Sequence, residues 1–287
     1  MHSKGLGLAA ISYDSPEILA AFSRQRGITF PLLSDQGSAT IRAFGILNTV
    51  TELGLGPEKD DTAVAAEVQK YVAGGGARAS DMMRGMAFPG TLMIDRRGRV
   101  TSRFFEDSYV DRLTFSSVMV KAGGASAPVN ATKISSAQVD VTAFASDSAI
   151  APGNRFSLVL DVTPRRGMHV YAPGAANYRV ISLVMNPETS MQLLPIQYPR
   201  SEVYFFKPLN ERVPVYQKPF RLIQDVILLG TPQAQAALKG KDSLTLSGSL
   251  EYQACDDKVC FNPASVPVTW TFAVRPLIRE RPTIQQK

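Results

Sequence analysis

At 287 residues the chain has the length of two ordinary domains, and 45% hydrophobic against 20% charged residues is globular usage that excludes intrinsic disorder. The net charge of +6 is partly local: Arg275, Arg279, Arg281 and Lys287, set against Glu280, place half of it in the last thirteen residues. No basic helix or basic stripe with interleaved aromatics occurs elsewhere, so nucleic acid is not an expected partner. No apolar run approaches the ~18 to 20 residues of a membrane span, and residues 5–12 are too short, without a cleavage site, to read as a signal peptide.

Residues 5–12 read instead as a strand. Ser15, Pro16 and Glu17 supply an N-cap, a first-turn proline and an acid at the positive dipole end of a helix that Gly27 terminates. A short strand at 28–34 and a helix at 38–44 follow. A third helix at 63–72 carries Val64, Val68, Tyr71 and Val72 at helical spacing and is closed by Gly74, Gly75 and Gly76. Residues 91–95 and 99–105 predict a hairpin around Arg96, Arg97 and Gly98, and Ser108 predicts the cap of a last helix containing Val110, Leu113 and Val118. The order β-α-β-α-α-β-β-α is an α/β layout, with helices covering a sheet.

The segments GLGLAAISYDSPEILAAF, GITFPLLSD and AFPGTLMIDRRGRV resemble the redoxin branch of the thioredoxin superfamily, the AhpC/TSA or peroxiredoxin-like proteins, over residues 5–122. The resemblance makes Pro89, in Phe88-Pro89-Gly90-Thr91, a cis-proline candidate that would face an active-site cysteine. It also implies a cysteine thiolate at the start of the first helix. The chain has only two cysteines, and none precedes Cys255. The expectation is a fragment of a longer protein, with any thiol peroxidase or antioxidant chemistry residing in a segment ahead of Met1. A naturally inactive redoxin half is the alternative.

Residues 123–136 are small and polar, the composition of a linker between a domain at 1–122 and a second at 137–274; a basic tail, 275–287, follows. In the second domain the apolar period becomes two: Phe156, Leu158, Leu160 and Val162; Leu244, Leu246, Leu250 and Tyr252; Val266, Val268, Trp270 and Phe272. Pro/Gly turns separate these runs. The expected fold is an immunoglobulin-like antiparallel β-sandwich, making the whole chain α/β plus all-β.

Both cysteines fall where one such strand ends and the next begins, in Tyr252-Gln-Ala-Cys255-Asp-Asp-Lys-Val-Cys260-Phe-Asn-Pro263. A zinc site needs about four ligands, and the chain offers two cysteines, His2 and His169; no metal is expected. A structural disulfide closing a loop of about six residues would contribute roughly 2 kcal/mol, against about 5 for a bridge spanning a hundred. An exchange-active pair is the remaining reading. Asp256 and Asp257 disfavour a thiolate at Cys255, with Lys258 opposing them in part, whereas Cys260 has no adjacent anion.

The segments Gly167-Met-His169-Val-Tyr171-Ala-Pro-Gly, Tyr198-Pro-Arg through Val213-Pro-Val-Tyr216, and above all Tyr252 to Pro263 resemble the N-terminal periplasmic domain of the thiol:disulfide interchange protein DsbD. That resemblance implies a periplasmic thiol-disulfide oxidoreductase without a cofactor. It would exchange electrons through Cys255 and Cys260 with disulfide isomerases or other thioredoxin-fold proteins. It further implies that Cys260 forms the mixed disulfide, that Phe205 or Phe206 covers the pair, and that His169, Tyr171 and Phe261 line it. The competing expectation is a binding module that holds partner proteins with a purely structural disulfide.

Overall fold

The computed structural model describes residues 6–73, 78–105, 112–123, 129–206 and 210–276. The chain forms two compact units, Met1–Val110 and Asp111–Leu277. No helix among the described residues is long and apolar enough to cross a membrane.

The first unit begins with β1 (Ala10–Ser12), α1 (Pro16–Arg26) and β2 (Leu32–Ser34), a parallel pair joined by a helix with Ile11 opposite Leu33. The ends of α1 follow their punctuation: the Ser15 hydroxyl accepts from the Ile18 amide, and Gly27 adopts the left-handed conformation that an L-residue resists, at φ 61°. Then come α2 (Ala39–Ala43), α3 (Thr49–Leu53) and α4 (Thr62–Ala73). The hairpin of β3 (Gly90–Ile94) and β4 (Val100–Phe105) pairs Gly90 with Phe105, whose ring approaches so closely that a Cβ on Gly90 would collide with it. The α/β content is as expected, but among the described residues the strands form two separate two-stranded ribbons.

The bond before Pro89, a cis candidate on resemblance, is trans, as are all the described peptide bonds. The Phe88 amide donates to the Ile46 carbonyl at 2.7 Å, and Gly90 already belongs to β3. The chain therefore passes through Pro89 as an ordinary extended connection, and trans remains the preferred isomer by about 0.5–1 kcal/mol.

The second unit opens with β5 (Arg112–Leu113) and α5 (Phe115–Lys121), followed by β6 (Val129–Ser135), β7 (Val139–Ala145), β8 (Ala149–Ile150), β9 (Asn154–Pro164), β10 (His169–Tyr171), β11 (Ser182–Met185) and β12 (Met191–Gln197). It continues with β13 (Glu202–Phe206), β14 (Glu211–Tyr216), β15 (Phe220–Leu228), α6 (Pro232–Leu238), β16 (Ser243–Tyr252), β17 (Ala254–Cys255) and β18 (Ala264–Val274). One sheet runs β12-β15-β9-β7-β6, with β5 added beside β9; a second runs β11-β16-β18-β8. The alternating residues of β9, β16 and β18 enter one core with Val139, Val141, Val226 and Leu228, and the Trp270 indole donates to the Phe144 carbonyl at 2.9 Å. This is the sandwich that the period-two pattern predicts.

Two sequence expectations give way here. Residues 129–135, read as linker, are the edge strand β6, paired antiparallel with β7. The helix expected from Ser108 starts instead at Thr114, whose hydroxyl accepts from the Ser117 amide, while Leu113 lies in β5 beside β9. Ser108 and Val110 fall outside the described residues, as does the tail from residue 277 on. Through Val120, α5 packs on Phe144 and Val159 of the large sheet.

Candidate redox site

The third sheet, β13-β14-β10-β17, carries the cysteines. At its β17 edge His169 pairs with Cys255 and Val170 with Ala254. The chain then reverses: the Asp256 amide donates to the Val259 carbonyl and the Phe261 amide to the Ala254 carbonyl. Inside this turn the Asp256 carboxylate accepts from the Lys258 and Val259 amides at 2.7 and 2.6 Å, an Asx-type closure. The result is a disulfide between Cys255 and Cys260, Cα atoms 4.1 Å apart. Its two halves differ sharply in access: Cys255 is completely buried, whereas Cys260 is an exposed residue.

Strand register assigns the surrounding side chains to faces, because paired residues of antiparallel strands point to the same side and neighbours along a strand to opposite sides. Cys255 shares its face with His169; Tyr171, two residues along, pairs with Val215, and Val213 pairs with Tyr204. Cys255, Tyr171, Val213, Val215 and Ala175 form one buried cluster, against which Tyr178, Val180 and Tyr204 pack. The opposite face, through Val170, Ala254 and Tyr216, joins the sandwich core.

Tyr171 is the central polar group. Its hydroxyl lies 2.9 Å from Cys255 Sγ and 3.3 Å from Cys260 Sγ. Tyr178 stacks on it, ring centres 3.9 Å apart, and donates to the Glu211 carboxylate at 2.7 Å. Burial holds the Tyr171 phenol well above the ordinary tyrosine range; the hydrogen bond to Glu211, more than burial, raises that of Tyr178. His169 is buried, edge-on to Tyr171 and 4.4 Å from the Tyr204 ring. Burial pushes its imidazole below the usual histidine range, against the opposing field of Asp256.

The residues singled out from sequence are thus brought together unequally. His169 and Tyr171 lie on the cysteine face, and Phe261 is fixed at the exit of the turn by its amide. Phe206 shares that face by register with Tyr204, opposite Glu211. Phe205 does not: alternation along β13 turns it to the other side, where the Arg212 guanidinium sits 5.4 Å from its ring centre. Of the aromatic triplet, Tyr204 is the one packed on the cysteine cluster. Sequence reading missed Tyr178 and Glu211; the available signal was a second tyrosine just beyond the Ala172-Pro173-Gly174 turn that follows Tyr171. Among the described residues no group of three or more His, Cys, Asp or Glu is arranged to hold a metal.

Comparison with known families agrees with this division. Residues 1–103 match the AhpC/TSA family model, and residues 138–270 match that of the thiol:disulfide interchange protein DsbD, N-terminal. The chain therefore joins a redoxin-type segment to a DsbD-N-type sandwich that carries a disulfide. Among solved structures, the N-terminal periplasmic domain of ScsB from Proteus mirabilis is similar at 13% identity and a TM-score of 0.35, over 50% of this chain and 51% of that one. The reduced DsbD N-terminal domain of Neisseria meningitidis is similar at 14% identity and a TM-score of 0.29, over 41% of this chain and 81% of that one. The chain spans about half the length of the ScsB domain structure it matches. No curated protein matches it.

Proposed function

We propose that the second unit is a thiol-disulfide oxidoreductase that exchanges electrons with thioredoxin-fold proteins of an extracytoplasmic compartment, through Cys255 and Cys260. The observation that carries this reading is the unequal exposure of the two linked cysteines within the segment matching DsbD. Exchange requires access of a thiolate to one sulfur, in line with the breaking bond. Cys260 offers that access, and Cys255, buried behind it, acts as leaving and resolving sulfur. A staple serving stability alone gains little from a loop this short.

The assignment is tested by trapping. With Cys255→Ala, the remaining Cys260 thiol should capture a thioredoxin-fold protein, oxidised and then quenched with a thiol-blocking reagent, as a mixed disulfide that this chain has no second thiol to resolve, visible on a non-reducing gel. Cys260→Ala should capture little, since Cys255 is buried. Capture through Cys255 alone would reverse the roles, and no capture by either folded variant would make the disulfide structural and the unit a binding module.

A further inference from the structure

We propose that Tyr171 is a catalytic residue of this exchange: its phenol hydrogen-bonds the Cys255 sulfur as that sulfur leaves, an inference that rests on the exchange reading above. In the disulfide neither sulfur carries a proton, so at 2.9 and 3.3 Å the Tyr171 O–H is the donor to both. When the thiolate of a dithiol attacks Cys260 Sγ, a new S–S bond forms and the Cys255–Cys260 bond breaks. Its electron pair passes to Cys255 Sγ. The second thiol of the dithiol then attacks its own sulfur in the mixed disulfide and releases Cys260 as a thiolate. Two electrons and two protons pass to the cysteine pair, and the dithiol becomes a disulfide.

The charge that develops in the first step falls on a sulfur buried among Val213, Val215 and Ala175, surroundings that oppose a thiolate. A leaving sulfur departs faster when its thiolate is stabilised, and the hydroxyl already in place to do so is that of Tyr171. The other titratable or charged groups around the site are His169 on β10, Tyr204 on β13, Glu211 on β14, Tyr178, and Asp256, Asp257 and Lys258 in the turn. The Asp256 carboxylate is taken up by turn amides, and Tyr178 by Glu211. The stack of Tyr178 on Tyr171 holds the donor ring in position.

The test compares the wild-type chain with Tyr171→Phe, which keeps the ring and removes the hydroxyl. Reduction of the disulfide by dithiothreitol should slow roughly ten- to a hundredfold, the scale of a hydrogen bond to a charged group. In a Cys260→Ala background the same change should move the pH midpoint of Cys255 thiolate formation, followed by the Cβ chemical shift of isotope-labelled cysteine and so independent of reagent access, to higher pH. Equal rates and equal midpoints would overturn the proposal. Should Tyr171→Phe fail to fold, 3-fluorotyrosine at position 171, a more acidic donor of the same shape, should speed reduction, and an unchanged rate would overturn it. A wild-type disulfide that dithiothreitol cannot reduce would remove the exchange reading and this inference together, whereas a reducible wild type matched by Tyr171→Phe would remove only the inference.

Discussion

Asp256 follows Cys255 directly in the chain, and from sequence its charge reads as a brake on thiolate formation. In the fold its carboxylate also closes the turn, and the amides of Val259 and then Lys258 hold its pKa below the usual aspartate value. A depressed native pKa means that this contribution is complete above the unfolded value, about 3.9, and is lost as pH falls through the native one. Amide hydrogen exchange at Lys258 and Val259, corrected for intrinsic rates, should stay protected down to about pH 4 and lose protection below it; Asp256→Ala should lack the protection at every pH. The cysteine pair, His169 and Tyr171 were legible because they lie in short contiguous motifs. Tyr178 and Glu211 were not, since their meeting depends on where a turn and a separate strand place them. Period-two alternation decides between Phe205 and Phe206: adjacent strand residues face opposite sides, and the register puts Phe206 on the face of Tyr204.

At the scale of elements, α5 shows how a correct local reading receives the wrong tertiary address. Its short amphipathic pattern says helix, and says nothing of which sheet receives it. Packing decides: Val120 covers Phe144 and Val159, while Lys121 and Arg155 converge on the buried Asp225 carboxylate, which also accepts from Ser157 at 2.8 Å. β9 is thereby buried on both faces from Phe156 to Leu160, which explains a strand more uniformly apolar there than alternation requires. Replacing Asp225 by alanine strands two cations against the sheet. Chemical denaturation should show a loss of about 3–5 kcal/mol, the range for breaking a buried ion pair from one side. A loss below about 1 kcal/mol would mean that the network behaves like an exposed pair.

For the whole molecule, cysteine distribution assigns the chemistry. The redoxin-type segment carries the fold signals of its family and no cysteine, because both are at 255 and 260. Peroxide reduction needs a thiolate that hydroperoxide can reach. Residues 1–287 supplied with dithiothreitol should therefore consume no hydroperoxide beyond the background of the reductant, and turnover that survives replacement of both cysteines would contradict this assignment. The β-rich second half was legible as a sandwich from its strand periods, since each strand buries one alternate set against the same core. The third sheet was not, because β10 and β17 are only three and two residues long and too short to show a period.

The position of α5 has a consequence for modularity. The two family matches leave residues 104–137 unclaimed, and within that interval α5 and β6 are built into the sandwich side. The inheritable unit is therefore larger than the segment its family defines. A recombination event, natural or designed, that exchanged the first half with a crossover at 123 would carry off the helix and bare Phe144 and Val159, whereas a crossover before Arg112 would leave the sandwich with its own cover. The compact sandwich unit starts at Asp111, upstream of where composition alone would cut the chain.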